Sequence, residues 1–212
     1  LSRLTKSKSG ILIISIGAMQ KRVDVACESP PEWIEAVMVD FDSFLKDHAD
    51  CERKASSMAM SFVAKFPDRV EILPELIDTA VEEMEHFRDV YKIMEKRGIQ
   101  LNHKIPPDEY MNLLLKLLRS GREERFMDRL IMASLVETRG AERFKKVYEA
   151  LGEGELKKFY QRLWASEARH GEIFIDMALR YFPETEVYDR LDRMVAEEAK
   201  IIVGLPIKAA LH

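Results

Sequence analysis

One pattern constrains this chain more than any other, and it occurs twice. Glu52 is followed about 30 residues later by Glu83-Met84-Glu85-His86, and Glu137 is followed after about the same interval by Glu167-Ala168-Arg169-His170. On a helix, residues i and i+3 share a face, so Glu83 with His86, and Glu167 with His170, can hold one metal ion together. A single Glu-x-x-His says little, because both residues are ordinary in helices. Two of them, each with a further glutamate at nearly the same distance upstream, match the carboxylate pattern of a four-helix bundle with a two-metal core. From Glu52 to the turn near Pro67 is about 14 residues, or roughly 20 Å of helix, and the return to Glu83 is similar. The two residues therefore stand level in an antiparallel hairpin. The turn at Gly152 does the same for Glu137 and Glu167. Face to face, two such hairpins put four carboxylates and two imidazoles in one layer. Four uncompensated carboxylates in a bundle interior would be very costly. Two divalent cations remove that cost. Mixed oxygen and nitrogen ligands, few per metal, suit iron or manganese, with zinc a weaker fit.

The punctuation between periodic segments supports an all-α fold. Ser29-Pro30-Pro31-Glu32 offers a capping box, and apolar residues then recur at helical spacing from Trp33 to Phe62, predicting one long first helix that stops at Phe66-Pro67. A second helix starts between Asp68 and Pro74 and ends at Arg97-Gly98, a basic last turn with a C-cap glycine. Residues 98–107 form a long crossover, followed by a short helix over 108–119. Helices over 122–151 and 155–181 form the second hairpin, and a last amphipathic helix covers 185–203. The expected architecture is a ferritin-like four-helix bundle of two antiparallel hairpins, with an extra short helix in the crossover and a C-terminal helix.

Composition sets limits on function. The chain has 212 residues and a net charge of −4, so any RNA binding must come from a local patch. Its two cysteines, Cys27 and Cys51, form no CxxC; that excludes a rubredoxin-type centre and fits a reducing cytoplasm. The longest apolar stretch, Ile11 to Met19, is far below a membrane span of roughly 20 residues. Residues 1–27 carry no acid before Asp24 and several basic residues. They read as an N-terminal extension outside the core, compatible with either a targeting peptide or a flexible segment. The expected catalytic domain is 28–212.

Other candidates have plainer readings. Glu82, Glu85 and Glu172 are expected to be solvated helix residues. His48, one turn before Glu52, fits either a position behind that ligand or the surface. Cys51 reads as a small core residue, and Glu142, off the Glu137 face, as an arginine's partner. Arg119, Arg122, Arg125 and Arg129 recur every three or four residues, and Arg139, Arg143, Lys145 and Lys146 continue the basic character. Arg122, Arg125 and Arg129 are the candidate phosphate contacts; a solvated face paired with Glu123, Glu124 and Asp128 is the alternative.

At the ligand residues the sequence also resembles a known family. Asp47-His48-Ala49-Asp50-Cys51-Glu52-Arg53-Lys54-Ala55-Ser56, Glu82 to His86, Glu137-Thr138-Arg139-Gly140-Ala141-Glu142-Arg143-Phe144, and Phe159-Tyr160 with Ser166-Glu167-Ala168-Arg169-His170 are similar to segments of the tRNA-(2-methylthio-N6-isopentenyladenosine) hydroxylases, the MiaE family. The likeness covers roughly residues 30–200. The basic N-terminal extension and the ending Leu205 to Ala210 depart from it. The resemblance implies an oxygen-dependent diiron monooxygenase that hydroxylates the isopentenyl group of a hypermodified adenosine in tRNA. It implies that Glu83 and Glu167 bridge two irons, that Glu52 and Glu137 are terminal ligands, and that His86 and His170 bind one metal each. It also implies O2 and an external electron donor, a reductase or ferredoxin, acting on a monomer or homodimer. The competing expectation is a ferritin-like dimetal oxidase or peroxidase, or a manganese catalase-like protein, without an RNA substrate.

Overall fold

The structure, a computed structural model, describes residues 23–211; among these residues there are seven helices and no strand. Helices α2 (Phe41–Lys65) and α3 (Leu73–Lys96) form one antiparallel hairpin. Helices α5 (Arg122–Ala150) and α6 (Glu155–Leu179) form the other, and α4 (Glu109–Leu115) lies in the crossover between them. Local chemistry sets the ends. Gly98 takes a left-handed φ of 70°, and two bonds close α3 over it: Ile99 N–H to the Met94 carbonyl at 2.9 Å and Gly98 N–H to the Glu95 carbonyl at 3.1 Å. Asp108 caps α4 by accepting from the Met111 N–H at 3.0 Å.

Two local expectations are corrected. The predicted first helix is broken into α1 (Pro31–Val39) and α2. The break comes at Asp40, whose carboxylate caps α2 by accepting from the Ser43 N–H at 3.1 Å. Asp40-x-x-Ser43 is itself a readable start signal, hidden here inside an uninterrupted apolar period. The capping box at Ser29 does not form either. Ser29 gives its backbone N–H and its hydroxyl to the two oxygens of Glu142, at 2.9 and 2.8 Å, so it ties the chain's start to α5.

The interior is split in two. One apolar cluster joins Phe62, Phe66, Phe126 and Phe174 near the hairpin turn of α2 and α3, and extends under α7 (Glu184–Gly204). The other joins Trp33, Phe44, Phe144 and Tyr160 at the opposite end. Between them lies a polar layer of buried glutamates and histidine. Helix α7 is clamped to α5 beside this layer: Arg139, fully buried, forms a bidentate pair with Glu198 at 2.8 and 3.0 Å. The same guanidinium donates to the Cys27 carbonyl at 2.9 Å, and Val23 is buried in the first cluster. Val23 and Cys27, which the sequence pattern assigns to the extension, thus contact the core; residues 1–22 lie outside the described residues. Among the described residues, no helix is long and apolar enough to cross a membrane.

Candidate metal centre

The hairpin arithmetic holds in space. Glu52 on α2, Glu83 and His86 on α3, Glu137 on α5, and Glu167 and His170 on α6 converge in one layer. Ligand-capable atoms of Glu52, Glu83, His86 and Glu167 lie within 4.8 Å of one another, as do those of Glu83, Glu137, Glu167 and His170. The two groups share Glu83 and Glu167, so two adjacent cation positions would be spanned by the same pair of carboxylates.

The donor atoms are arranged for cations rather than for each other. Glu83 Oε1, Glu137 Oε1, Glu167 Oε1 and His170 Nδ1 are buried and accept or donate no hydrogen bond. Yet they crowd together: His170 Nδ1 approaches Glu83 Oε1 to 2.6 Å, and His86 Nδ1 lies 3.1 Å from Glu167 Oε1. Close approach without hydrogen-bond alignment is what atoms aimed at a common third partner show. On its far side His170 Nε2–H donates to Glu82 Oε2 at 2.8 Å. That bond keeps one ring proton at Nε2, so Nδ1 can turn its lone pair inward when a cation displaces the proton there, as a metal ligand requires. The residues therefore fit a dinuclear metal centre.

Titration behaviour follows from the same crowding. Burial, then the neighbouring carboxylates, raise Glu137 well above the usual carboxylate range and Glu83 to about 7. Burial alone would depress the imidazoles. The surrounding carboxylates override it, raising His86 and bringing His170 to about 10. Glu167 is the exception: burial pushes it up, but the close approach of His170, His86 and Glu137 leaves it below the usual range. Without cations, protons carry the charge that balances this layer.

A cavity of about 370 Å³ opens onto the layer. Glu52, Glu83, Glu137 and Glu167 line it, and neither His86 nor His170 does. The histidines thus lie behind the centre and the carboxylates in front. The walls are largely apolar, with Met58, Met111, Met132, Val136 and Leu118 among them, and basic side chains Lys65, Arg125 and Arg129 stand near one end.

Comparisons with known proteins agree with this geometry. The family described as "MiaE: tRNA-(MS[2]IO[6]A)-hydroxylase (MiaE)" matches residues 18–212. The chain belongs to the MiaE family. A relative from Pseudomonas putida, named tRNA 2-(methylsulfanyl)-N(6)-isopentenyladenosine(37) hydroxylase, is 32% identical over 178 residues, covering 84% of this chain and 86% of its own. A relative of the same name from Salmonella typhimurium is 28% identical, covering 76% of this chain and 81% of its own. A solved structure, "Protein 43 with aldehyde deformylating oxygenase activity from Synechococcus", superposes with a TM-score of 0.82 at 29% identity, over 87% of this chain and 92% of that one. The MiaE-family fold seen here is ferritin-like.

Around the centre of this MiaE-family chain, some side chains do more than their local sequence suggests. His48 is fully buried; its Nε2–H reaches Glu52 Oε1 at 2.6 Å, and its Nδ1 accepts from the Tyr160 hydroxyl at 3.1 Å. Burial holds its pKa at about 3, so the ring is neutral. Glu82, expected to be solvated, is instead the half-buried acceptor behind His170, and Arg169 also binds it. Its partner lies on the other hairpin, so no local signal marks it. Glu142 pairs with Arg139 at 3.0 Å, as expected, and Cys51 is a buried core residue.

The basic series divides. Arg119 is held by Asp128 at 2.8 Å and Glu124 at 3.2 Å, and exposed Arg122 by Asp68 at 3.0 Å. Arg125 and Arg129 form no ion pair with a described residue and stand at the cavity; Arg129 donates to Ser61 at 2.6 Å and lies over the Phe62 ring. Arg139 and Arg143 do not continue a basic surface. Both are buried in the polar clamps described above and below.

Proposed function

We propose that this chain is an oxygen-dependent diiron monooxygenase that hydroxylates the isopentenyl group of a hypermodified adenosine in tRNA. The observation that carries the reading is the cavity: largely apolar walls, basic side chains near its exposed end, and four glutamates lining it inside. A prenyl group matches the apolar walls, and the RNA backbone matches the basic residues.

In this reading Glu52, Glu83, His86 and Glu167 would hold one ion, and Glu83, Glu137, Glu167 and His170 the other. Iron is the metal favoured by the mixed oxygen and nitrogen donors and by the hydroxylation of a C–H bond. When bound, the iron pair supplies O2 activation with two electrons from an external reductase or ferredoxin. The chain's own residues do the rest. Glutamates balance the cationic charge. His48, neutral and backed by Tyr160, orients Glu52 and holds a proton at Nε2. Glu82 holds the proton of His170 at Nε2. The Met58, Met132 and Val136 surfaces exclude water from the reacting carbon. Arg125 and Arg129, with Lys65, contact phosphate; Arg122 is a further contact if RNA competes it away from Asp68. Such a substrate places the enzyme in the cytoplasm.

Iron-loaded, chemically reduced protein is mixed with air and tRNA carrying the isopentenyl-type nucleoside, and the nucleosides are analysed by mass spectrometry. One added oxygen, absent with Glu137→Ala, is the expected result. No addition by protein holding two irons, together with rapid peroxide turnover, would point instead to a dimetal peroxidase. Replacing Arg125 and Arg129 together with Ala is expected to weaken tRNA binding and reduce the salt slope by about 1 for each phosphate no longer neutralised. An unchanged slope removes these residues from the interface.

A further inference from the structure

We propose that Leu211 is the floor of the cavity, and that its side chain sets how far an alkyl chain reaches past the carboxylate layer. It would thereby select chain length and the carbon presented for reaction. The inference rests on the hydroxylase reading above.

The direction of the cavity comes from its walls. Along α2 the lining residues run from Cys51 and Glu52 to Lys65; along antiparallel α5 they run from Phe144 back to Arg125. Lys65 and Arg125 are exposed, whereas Cys51, Phe144 and Leu211 are buried; the half-exposed Lys54 and Asp108 also line the Glu52 end, where their ion pair at 2.6 Å closes the side wall. Glu52 and Lys65 are about 20 Å apart along the helix. The open end is therefore at Lys65 and Arg125. Leu211 lies at the closed end, on the far side of the glutamates.

Leu211 comes from outside the bundle and is held there by three helices. Its N–H donates to Asp47 Oδ2 at 2.7 Å on α2, and its carbonyl accepts from the Arg143 guanidinium on α5. The Ala210 carbonyl accepts from Trp33 Nε1 at 2.9 Å on α1, and the Arg143 guanidinium lies 4.9 Å from the Trp33 ring. Leu211 is 4% exposed and belongs to the apolar cluster that contains Cys51 and Phe144. All of the strapping uses backbone atoms of the tail. Exchanging the Leu211 side chain therefore changes the cavity's depth while the strap stays in place. Phe144, the other large group at this end, is less suited to such exchange because its ring lies 4.7 Å from His48.

The test compares wild type, Leu211→Ala and Leu211→Trp, all iron-loaded, on synthetic RNA hairpins bearing N6-allyl, N6-isopentenyl or N6-geranyl adenosine. The readouts are kcat/KM for each hairpin and the position of the added oxygen. Deepening the floor with Ala should raise the geranyl-to-isopentenyl ratio about tenfold, and filling it with Trp should lower the isopentenyl-to-allyl ratio about tenfold. Leu211→Phe serves if the Trp variant does not fold. A residue that merely seals the core would lower all three substrates together; unchanged ratios and an unchanged oxygen position overturn the proposal. If wild type oxygenates none of the hairpins, the hydroxylase reading fails. The chain-length series is then read as dissociation constants of the same N6-alkyl adenosines, and a length cut-off that Ala and Trp do not move in opposite directions overturns the floor assignment as well.

Discussion

The two hairpins carry the same candidate ligands in the same order, yet they support them differently. In the first, the lone glutamate is the one held: Glu52 is gripped by His48, which is itself gripped by Tyr160. Its histidine, His86, is less enclosed than its counterpart, with 17% of the side chain exposed. In the second hairpin the support is reversed. His170 is fully enclosed and held by Glu82, whereas Glu137 keeps a buried oxygen without a hydrogen-bond partner, and Ala133 stands one turn before it where the first hairpin has His48. Each support crosses between hairpins, since Tyr160 is on α6 and Glu82 on α3. Two similar sets of candidate ligands thus make two unlike positions: one firm at the carboxylate, the other firm at the imidazole.

The comparison breaks most completely at the shared residues. Glu167→Ala or Glu83→Ala should remove both metals and bring hydroxylation to background, because each belongs to both donor groups. Glu52→Ala and Glu137→Ala should each empty mainly one position. Metal per chain, measured alongside nucleoside product, checks this; equal loss from all four variants would mean the positions are not separable.

A sharper test removes the supports and leaves the ligands. His48→Phe and Glu82→Gln should each lower metal affinity by about 10- to 100-fold, the usual cost of losing an outer hydrogen-bond partner. The two losses should fall on different metals, read by competition with a chelator and by the spectrum of the half-loaded protein. Identical behaviour in both variants would collapse the asymmetry.

The hairpins also differ in how closely their helices meet beside the histidine. Next to His170, a Cβ on Gly171 would lie 2.6 Å from Thr138 Oγ1, and the Ser134 hydroxyl donates to the Gly171 carbonyl at 2.6 Å. The first hairpin has Phe87 at the matching place. Gly171→Ala should cost about 1–3 kcal/mol by overpacking, with part recovered when Thr138→Ala is added. Thermal unfolding of the double-mutant cycle measures the recovery; none would move the strain elsewhere.

The smallest effect is a pH drift seen only without metal. Glu83 at about 7 and His170 at about 10 hold protons in the folded protein that the unfolded chain releases near 4.5 and 6.5. Their contribution is complete below those unfolded values and is lost as pH rises through the folded ones. Glu167 and His48 are shifted downward, so they act in acid, below this window. The Tm of the metal-free protein should therefore fall by a few degrees between about pH 6 and 9, while metal-loaded protein, its protons displaced, stays level. A metal-free Tm that rises over this range would contradict the arrangement of charges described.

Legibility in the sequence follows the range of each interaction. The six candidate ligands are visible because a hairpin converts separation along the chain into level in space, and Glu-x-x-His is a contact within one helical turn. Helix ends at Gly98 and before Arg122 are visible for the same local reason. Glu82 looks solvated in sequence because its partner is on another helix, and the roles of Arg139, Arg143 and Leu211 are invisible because each is fixed by distant groups. The break at Asp40 is local and still concealed: a periodic apolar run hides the cap that divides α1 from α2.

The divided interior has a consequence for how the molecule comes apart. A continuous apolar core makes unfolding all-or-none, because no part can open without exposing the rest. Here two aromatic clusters sit at opposite ends of the same four helices, with charged groups between them. Cohesion passes from one end to the other through the helices and through whatever binds the middle layer. A metal pair held there would therefore couple the two half-cores into one cooperative unit.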